Sequence, residues 1–455
     1  MYLKSFRCIL RTPHFYAPTC KRCMFSSRLA ALKSRNLFSQ QLPDPLTPDL
    51  VSDLDSSQKW SIYCGIDPTG PSLHLGHLFP LMALFHLRRL GYPVIVLIGG
   101  ATAKIGDPSD KKDEREKLSV DYLTANAEKL ERQIVHLDER FKSQMQMESY
   151  GELRIVNNLE WYDNENLVPF LSQHARFMSV SHMLSLSFVK DRLNSGARLN
   201  LAEFFYQFLQ AFDFQQLYER YNCRAQVGGS DQWGNMLGGY EFLKSSKGIR
   251  TLSLTTPLLL SGASKMGKTS SSVSSKIWLD KNLTSPYALY QYFLQRSDSE
   301  SPQMANSLTF LDDKELQDIL NSTDVRSVQK CLAKKVVQFV HGEKDLRDAE
   351  SVTSLLHSKK PSLDDVDEKC LKDVLKNAEI VSVSRDLSIV ECLSRTSFFT
   401  AIEATEDFSK KGGTVKINGA KISSHEARIE DVCSSDYAVL ALGKHYRAVL
   451  QIKPA

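Results

Sequence analysis

The chain has 455 residues, 42% hydrophobic and 24% charged, a composition that allows two to four domains with sizeable cores. No apolar run approaches the ~20 residues of a membrane-spanning helix; "VIVLI" at 94–98 stops at a glycine pair. The net charge of +4 is unevenly spread: up to Phe38 there are eight basic residues and no acid, leaving 49 basic against 53 acidic residues beyond it. Such a body has no general polyanion-binding charge, so any nucleic-acid contact must use local patches.

An N-terminus rich in Arg and Ser and free of acid until Asp44 has the composition of a mitochondrial transit peptide. It is expected over 1–38, with the mitochondrial matrix as destination. A basic tail for nucleic acid is the alternative. Cys20 and Cys23 form a lone CxxC inside this segment, and the other cysteines are scattered. No zinc spacing and no disulfide framework is expected.

Residues 39–58 are polar and Pro-rich. "WSIYCGI" then predicts a strand, and "DPTGPS" a turn. Ser72 is placed to cap a helix over 73–90, closed by Gly91, with Pro80 as a local conflict inside it. "PVIVLIGG" is a continuous apolar run of the kind buried in parallel sheets. Strand, helix and strand make a βαβ unit. With "LRIVNN" and "CRAQVGG", the expected fold is α/β with a doubly wound, Rossmann-like parallel sheet over 39–280. Apolar spacing predicts an α-helical domain over 281–358. A charged linker follows over 359–380. A small α+β domain closes the chain over 381–455, where "KINGAKI" reads as a hairpin around an Asn-Gly turn.

Four stretches carry chemistry. "HLGH" puts His74 and His77 three apart at a strand-to-helix handover. They could be a metal pair, an acid and base, phosphate donors or ordinary histidines. No further ligand accompanies them, so no protein-bound metal is expected. Helix N-termini at the carboxyl edge of a sheet bind phosphates, and Gly76 would let a base or phosphate approach the backbone. "SKMGKTSSS" sets Lys265 and Lys268 in a Gly- and Ser-rich loop, either a solvated basic loop or one that closes over a phosphate chain. "YQFLQAFD" lines up Tyr206, Gln210 and Asp213 as one polar stripe on an aromatic-rich helix. A polar stripe on a buried helix needs partners, from the protein or from a ligand. "VGGSDQWGN" runs a strand into paired glycines, then Asp231 and Gln232, again at a carboxyl end.

Together, and in order, "YCGIDPTGPSLHLGH", "GGATAKIGDPSDKKDER", "YQFLQAFD", "VGGSDQWGN" and "KMGKT" resemble the bacterial-type tyrosyl-tRNA synthetases, class I enzymes. The likeness runs from about Trp60 to Trp278, and "VHGEKDL" extends it into the helical domain. With the basic leader, the chain looks like a mitochondrial form. The resemblance implies that tyrosine and ATP give tyrosyl-adenylate and pyrophosphate, and that tyrosine then passes to tRNA(Tyr). Mg2+ accompanies ATP as substrate.

By the same resemblance, His74, His77, Lys265 and Lys268 contact the phosphates. Lys111 and Arg115 belong to a second basic loop, in which Asp110 stands where a glycine is common. Cys64, Gly65, Asp67, Thr69, Gly76, Asp231 and Thr269 line the ATP site. Tyr63 and Asp213 face the phenolic hydroxyl. Asp107, Tyr206 and Gln210 hold the ammonium group, and Gln232 lies near the carboxylate. The C-terminal domain resembles an S4 RNA-binding unit, with Lys410, Lys411, Lys416 and Lys421, although its first part, "TSFFTAIEATEDF", is apolar and acidic. A homodimer is implied. The rival readings are a tryptophanyl enzyme, another HxGH nucleotidylyltransferase, and a synthetase-derived RNA-binding or intron-splicing factor.

Overall fold

The computed structural model describes residues 37–55, 60–109, 117–145, 149–163, 165–257, 276–322, 326–358, 378–396, 415–422, 427–442 and 446–453, with Leu32, Arg35 and a few isolated positions. A six-stranded sheet forms its centre. The strands are β1 (Gln40–Leu42), β2 (Ser61–Ile66), β3 (Val94–Ile98), β4 (Leu153–Asn157), β5 (Cys223–Gly229) and β6 (Leu252–Thr256), in the order β1-β6-β5-β2-β3-β4. β2 to β6 pair in parallel; only β1 is antiparallel, on β6. The chain leaves β2 toward β3 and β4, then returns to β5 and β6 on its other side. That reversal opens a crevice beyond the carboxyl ends of β2 and β5, the usual ligand position in open α/β sheets.

Side-chain alternation builds a layer on each face. Ile62, Cys64, Ile66, Val94 and Val96 enter one core with α1 (Pro48–Asp55), α2 (Leu75–Arg89) and α3 (Val120–Gln144). Tyr63, Ile95 and Leu97 enter the other, among Phe208, Phe212 and Phe214 of α8 (Leu201–Tyr221) and Phe242 of α9 (Trp233–Lys247). Between β4 and α8 run four short helices: α4 (Leu159–Tyr162), α5 (Leu167–His174), α6 (Val180–Ser185) and α7 (Ser187–Asn194). The buried Arg192–Glu203 ion pair, 3.3 Å, pins α7 to the first turn of α8.

The helix after β2 starts later than its sequence suggests. His74 is the N-cap, with extended backbone, and the helix begins at Leu75. Ser72 Oγ is engaged elsewhere: it donates to the Leu73 carbonyl at 2.7 Å and accepts from Asp280 N–H at 3.1 Å. The helix runs unbroken through Pro80, whose neighbours Leu78, Phe79, Leu81 and Met82 are buried. Packing on both sides offsets the one hydrogen bond that proline removes.

The first core continues without a break into the helical domain through Leu289, Phe293, Leu332 and Val336. That domain consists of α10 (Pro286–Leu294), α11 (Ser301–Leu308), α12 (Asp313–Leu320), α13 (Ser327–His341) and α14 (Glu343–Leu356). The C-terminal sheet has the order β7-β11-β10-β8-β9, from β7 (Ile380–Ser384), β8 (Val415–Ile417), β9 (Ala420–Lys421), β10 (Tyr437–Leu442) and β11 (Tyr446–Lys453). Asn418 and Gly419, both at positive φ, make the expected hairpin turn. One face of this sheet buries its own core of Val381, Ile389, Ile417 and Leu450. The other gives Val439 and Val449 to the main core, so the C-terminal domain is seated on the helical one.

The leader expected over 1–38 overlaps residues that belong to this body. Leu32 and Leu37 are buried in the main core. The Arg35 guanidinium donates to Leu311 O and pairs with Asp313 at the start of α12, 3.3 Å. Composition registers Arg35 as leader charge; its tertiary partners make it structural. Leu37→Ala is expected to cost about 2–5 kcal/mol in chemical denaturation, the range for deleting a buried leucine side chain. A cost below about 0.5 kcal/mol, typical of a surface site, would contradict this packing.

Candidate active site

The switch crevice brings together the end of β2, the start of α2, the end of β5 and the polar stripe of α8. At the start of α2, His74 N–H donates to His77 Nδ1 at 3.3 Å. His77 therefore carries its own proton on Nε2, which is left as a donor. The two imidazole rings stack, 3.7 Å between centroids and 19° between planes. A Cβ on Gly76 would meet the His74 ring at 2.9 Å, so the glycine makes room for His74 itself. Burial, then the charge of Lys276, lowers the His74 pKa to about 4. Burial, then His74 and Lys276, holds His77 well below the ordinary histidine range. Both imidazoles are neutral at physiological pH: they donate hydrogen bonds and bring no charge.

A second strip of chain holds this turn from outside. Leu75 N–H donates to Ile277 O at 2.9 Å, and Leu279 N–H to Leu73 O at 2.8 Å. His74 and Trp278 form an antiparallel bridge, with their rings edge-on at 6.0 Å.

Deeper in the crevice a polar network joins two carboxylates. Tyr206 Oη donates to Asp67 Oδ2 at 2.8 Å, and Thr102 Oγ1 donates to Asp67 Oδ1 at 2.8 Å. Asn158 Nδ2 donates to Thr102 Oγ1 and to Asp213 Oδ2, each at 3.1 Å. Trp161 Nε1 donates to Asp213 Oδ1 at 2.9 Å. Burial drives the Asp213 pKa up to about 7, against the pull of the Asn158 and Trp161 hydrogen bonds. Tyr63 packs on Phe214, 5.0 Å between rings, and its hydroxyl is buried with no partner. Its pKa, like that of Tyr206, is pushed well above the phenol range, chiefly by burial. Gly99 is required here, because a Cβ would strike the Asp67 carboxylate and the Thr102 hydroxyl.

A third group lies at the end of β5. Gln232 Nε2 donates to Asp107 Oδ2 at 2.7 Å and to Asp231 Oδ2 at 3.0 Å. Asn235 Nδ2 reaches Asp107 at 3.3 Å, Ser109 Oγ at 3.1 Å and Gln232 Oε1 at 3.2 Å. Buried acceptors on Gln210 and Asn235 join the Tyr63 hydroxyl as polar atoms without a partner. Native interiors tolerate few such atoms. Such atoms also occur elsewhere in the described residues, on Gln207 and Ser253 for instance; at these three a ligand with matching groups would complete the hydrogen bonding.

The expected residues are distributed as follows. His74 and His77 meet at the helix start. Tyr206 donates to Asp67 and also feels the charge of Asp107. Gln232 joins Asp107 and Asp231. Gly65 is exposed and a Cβ there would meet only open space, whereas Cys64 is buried beside it. Thr69 N–H is tied to Asp67 O at 2.8 Å. Lys111 and Arg115, and Lys265, Lys268 and Thr269, lie outside the described residues. Asn158, Trp161, Thr102 and Asn235 were not singled out in the sequence. Asn235 stands inside "DQWGN", and Asn158 and Trp161 follow the carboxyl end of β4, so the strand-end rule applied to the other motifs would have found them. A separate cavity of about 330 Å³, lined by Lys104, Glu128, Glu131, Asn157 and Glu160 among others, shares none of these site residues.

Residues 43–358 match the family model of class I tRNA synthetases, tryptophanyl and tyrosyl. The chain belongs to that family. Within it, the chain is similar to the tyrosyl members. It is 35% identical to the human mitochondrial tyrosine–tRNA ligase over 91% of this chain and 90% of that protein. It is also 35% identical to the tyrosine–tRNA ligase of Staphylococcus haemolyticus, over 92% and 98%. A C-terminally truncated mitochondrial tyrosyl-tRNA synthetase of Aspergillus nidulans superposes with a TM-score of 0.63 at 28% identity, over 71% of this chain and 92% of that one.

The depressed histidine has a pH consequence. The unfolded His74 protonates near pH 6.5 and the folded one near pH 4. In that window the unfolded state binds more protons, so stability falls as pH falls from 6.5 toward 4. Replacing His74 with Asn is expected to flatten this slope by up to about 1.4 kcal/mol per pH unit, one proton's worth. Urea denaturation of both proteins at pH 7.5, 6 and 5 checks it; parallel slopes would show that His74 is not buried neutral.

Proposed function

We propose that this chain is a tyrosine–tRNA ligase that activates L-tyrosine with ATP and transfers it to tRNA(Tyr) in mitochondrial translation. The observation that carries the tyrosine reading is the pair at the base of the pocket. A phenolic hydroxyl both donates and accepts. It can donate to Asp213 while accepting from the orphaned Tyr63 hydroxyl. Phenylalanine offers neither, and an indole N–H donates only. Either would leave a buried polar group unpaired, at roughly 1–3 kcal/mol.

In the first step the substrate carboxylate attacks the α-phosphorus of ATP. The new carboxyl–phosphate bond forms as the bond to pyrophosphate breaks. The carboxylate is already ionised, so no protein nucleophile or strong base is required. The protein's work is alignment and stabilisation of charge on the phosphates. Neutral His74 and His77 donate N–H bonds to ATP phosphates. Lys265 and Lys268, with Lys111 and Arg115, bring positive charge by the family resemblance. Mg2+ enters with ATP. Asp107, with Gln210, holds the substrate ammonium; Tyr206 acts there through Asp67. Gln232 lies near the carboxylate. Gly65, Thr69, Asp231, Gly76 and Thr269 form the ATP side, with Cys64 beneath. In the second step a hydroxyl of the terminal ribose of tRNA attacks the acyl carbon and AMP leaves.

Several observations support the wider proposal. The basic, acid-free leader suits import into the mitochondrial matrix, with any cleavage upstream of Leu32. The helical domain and the C-terminal domain are proposed to hold tRNA. Lys416 and Lys421 lie directly opposite each other across β8 and β9, both exposed. Like charges so placed repel, and a phosphate backbone relieves that. Leu167, Val168, Val180, Leu184, Leu193 and Leu201, each more than 40% exposed, cluster in α5 to α8. An apolar surface of this kind suits a second copy of the chain.

Purified protein is expected to catalyse tyrosine-dependent ATP–pyrophosphate exchange; exchange with tryptophan alone would overturn the assignment. Asp213→Ala is expected to lower the tyrosine-over-phenylalanine ratio of kcat/KM by about 10- to 100-fold, the equivalent of one lost charged hydrogen bond. An unchanged ratio would place the specificity elsewhere. Paired Val168→Asp and Leu201→Asp changes are expected to give monomers in sedimentation; an unaltered dimer would move the interface off this face.

A further inference from the structure

The two histidines at the start of α2 are neutral, and a triphosphate is not. Donor hydrogen bonds orient phosphate oxygens, but charge must also be offset in a partly dry cleft. The described residues place a cation beside the histidines, outside both basic loops that the family resemblance supplied. It is Lys276.

The geometry follows from the strip that clamps the helix start. Ile277 and Leu279 exchange backbone hydrogen bonds with Leu75 and Leu73, and Trp278 bridges His74. In an extended strip successive side chains alternate. Ile277 turns inward and packs against the main core. Trp278 turns the other way, with its ring against His74. Lys276, two residues before Trp278, rises on the same side as Trp278, and its Nζ stands 5.5 Å from the centroid of the Trp278 ring. It is exposed, while the backbone that follows it is held to the helix start. Its charge helps to lower the pKa of both imidazoles, so the ammonium stands within electrostatic reach of the histidine corner.

Trp278 is therefore a platform. Its face attracts the ammonium and limits the rotamers of a long, flexible side chain. The result is a positive charge near two neutral N–H donors, at the positive end of the α2 dipole. All three features favour the same class of group, a phosphate carrying more than one negative charge.

We propose that Lys276 is a phosphate-binding residue of the activation step, held over Trp278 to contact the β- and γ-phosphates of ATP and the departing pyrophosphate. This rests on the tyrosine-activating reading of the site. Lys276 forms no bond to substrate; it offsets charge that moves onto the leaving group, and it also favours pyrophosphate in the reverse reaction.

The test uses the full chain with Lys276→Gln and Lys276→Arg, measured by ATP–pyrophosphate exchange. Lys276→Gln is expected to raise KM for pyrophosphate and for ATP about tenfold, the scale of one charge-assisted contact. KM for tyrosine and Tm stay at wild-type values. The salt dependence of the pyrophosphate KM becomes shallower, since one screened charge is gone. Lys276→Arg keeps most of the wild-type behaviour. Wild-type constants in Lys276→Gln would overturn the proposal. So would equal losses for tyrosine and ATP together with a lower Tm, because Lys276 would then be only a brace for Trp278. If wild-type protein gave no tyrosine-dependent exchange, the functional reading itself would fall, and the two failures are thus distinct.

Discussion

Burying the Asp213 carboxylate is the constraint around which the catalytic domain is arranged. An isolated carboxylate in an apolar interior is expensive, and this one sits among Phe208, Phe212 and Phe214 on a buried helix. Its pKa is raised to about 7 by burial. A raised carboxyl favours the fold below its unfolded pKa and loses that contribution as pH rises through about 7. The ionised form thus depends on donors, and the chain delivers them from elements far apart in sequence. Asn158 and Trp161 come from the carboxyl end of β4 and from α4. Parallel pairing of β2, β3 and β4 brings that end level with Ile66, next to Asp67. The sheet is therefore the frame that makes the buried charge tolerable.

The same network explains why the crevice is preorganised before any ligand arrives. Thr102 hydrogen-bonds to Asp67 and Asn158, so the loop after β3 ties the two carboxylates together. Tyr206, about two turns before Asp213 on α8, ends on Asp67. Moving one member alters the partners of the others, because buried polar networks share their satisfaction. The atoms left without a partner are the Tyr63 hydroxyl and the amide oxygens of Gln210 and Asn235. Rigid, half-satisfied groups of this sort discriminate by what they lack: a ligand without the matching atom leaves them desolvated and unpaired.

How much of this was legible in the sequence depended on whether the cause was local. The buried runs of β2, β3 and β5 and the Asn418–Gly419 hairpin follow from residue type and short-range sterics, and they stand where expected. The start of α2 did not follow. Ser72 is a fine cap in isolation, but Leu73 and Asp280 take its hydroxyl, and the cap falls to His74. The leader boundary was likewise drawn from composition alone. Leu32 and Leu37 look like part of an import signal until the core they fill is known. Asp213 and Gln232 were readable because each stood in a motif. Asn158 and Trp161 stand in no such motif; their one signal is their place after the carboxyl end of β4, and the fold makes them partners of a charge.

The protonation pattern also sets how the chemistry is divided. At neutral pH the two imidazoles are uncharged, and Tyr63 and Tyr206 keep their protons. None of these groups is poised to exchange a proton, and an attacking carboxylate asks for no exchange. The walls of the crevice therefore supply orientation and dipoles; in the function proposed above, formal positive charge comes from lysine and arginine. That division suits a step in which negative charge migrates outward, from the reacting phosphorus to a departing polyanion. Neutral donors near the bond being made do not trap the ground state. Cations near the group that leaves gain strength as its charge grows, which is the differential stabilisation that lowers a barrier.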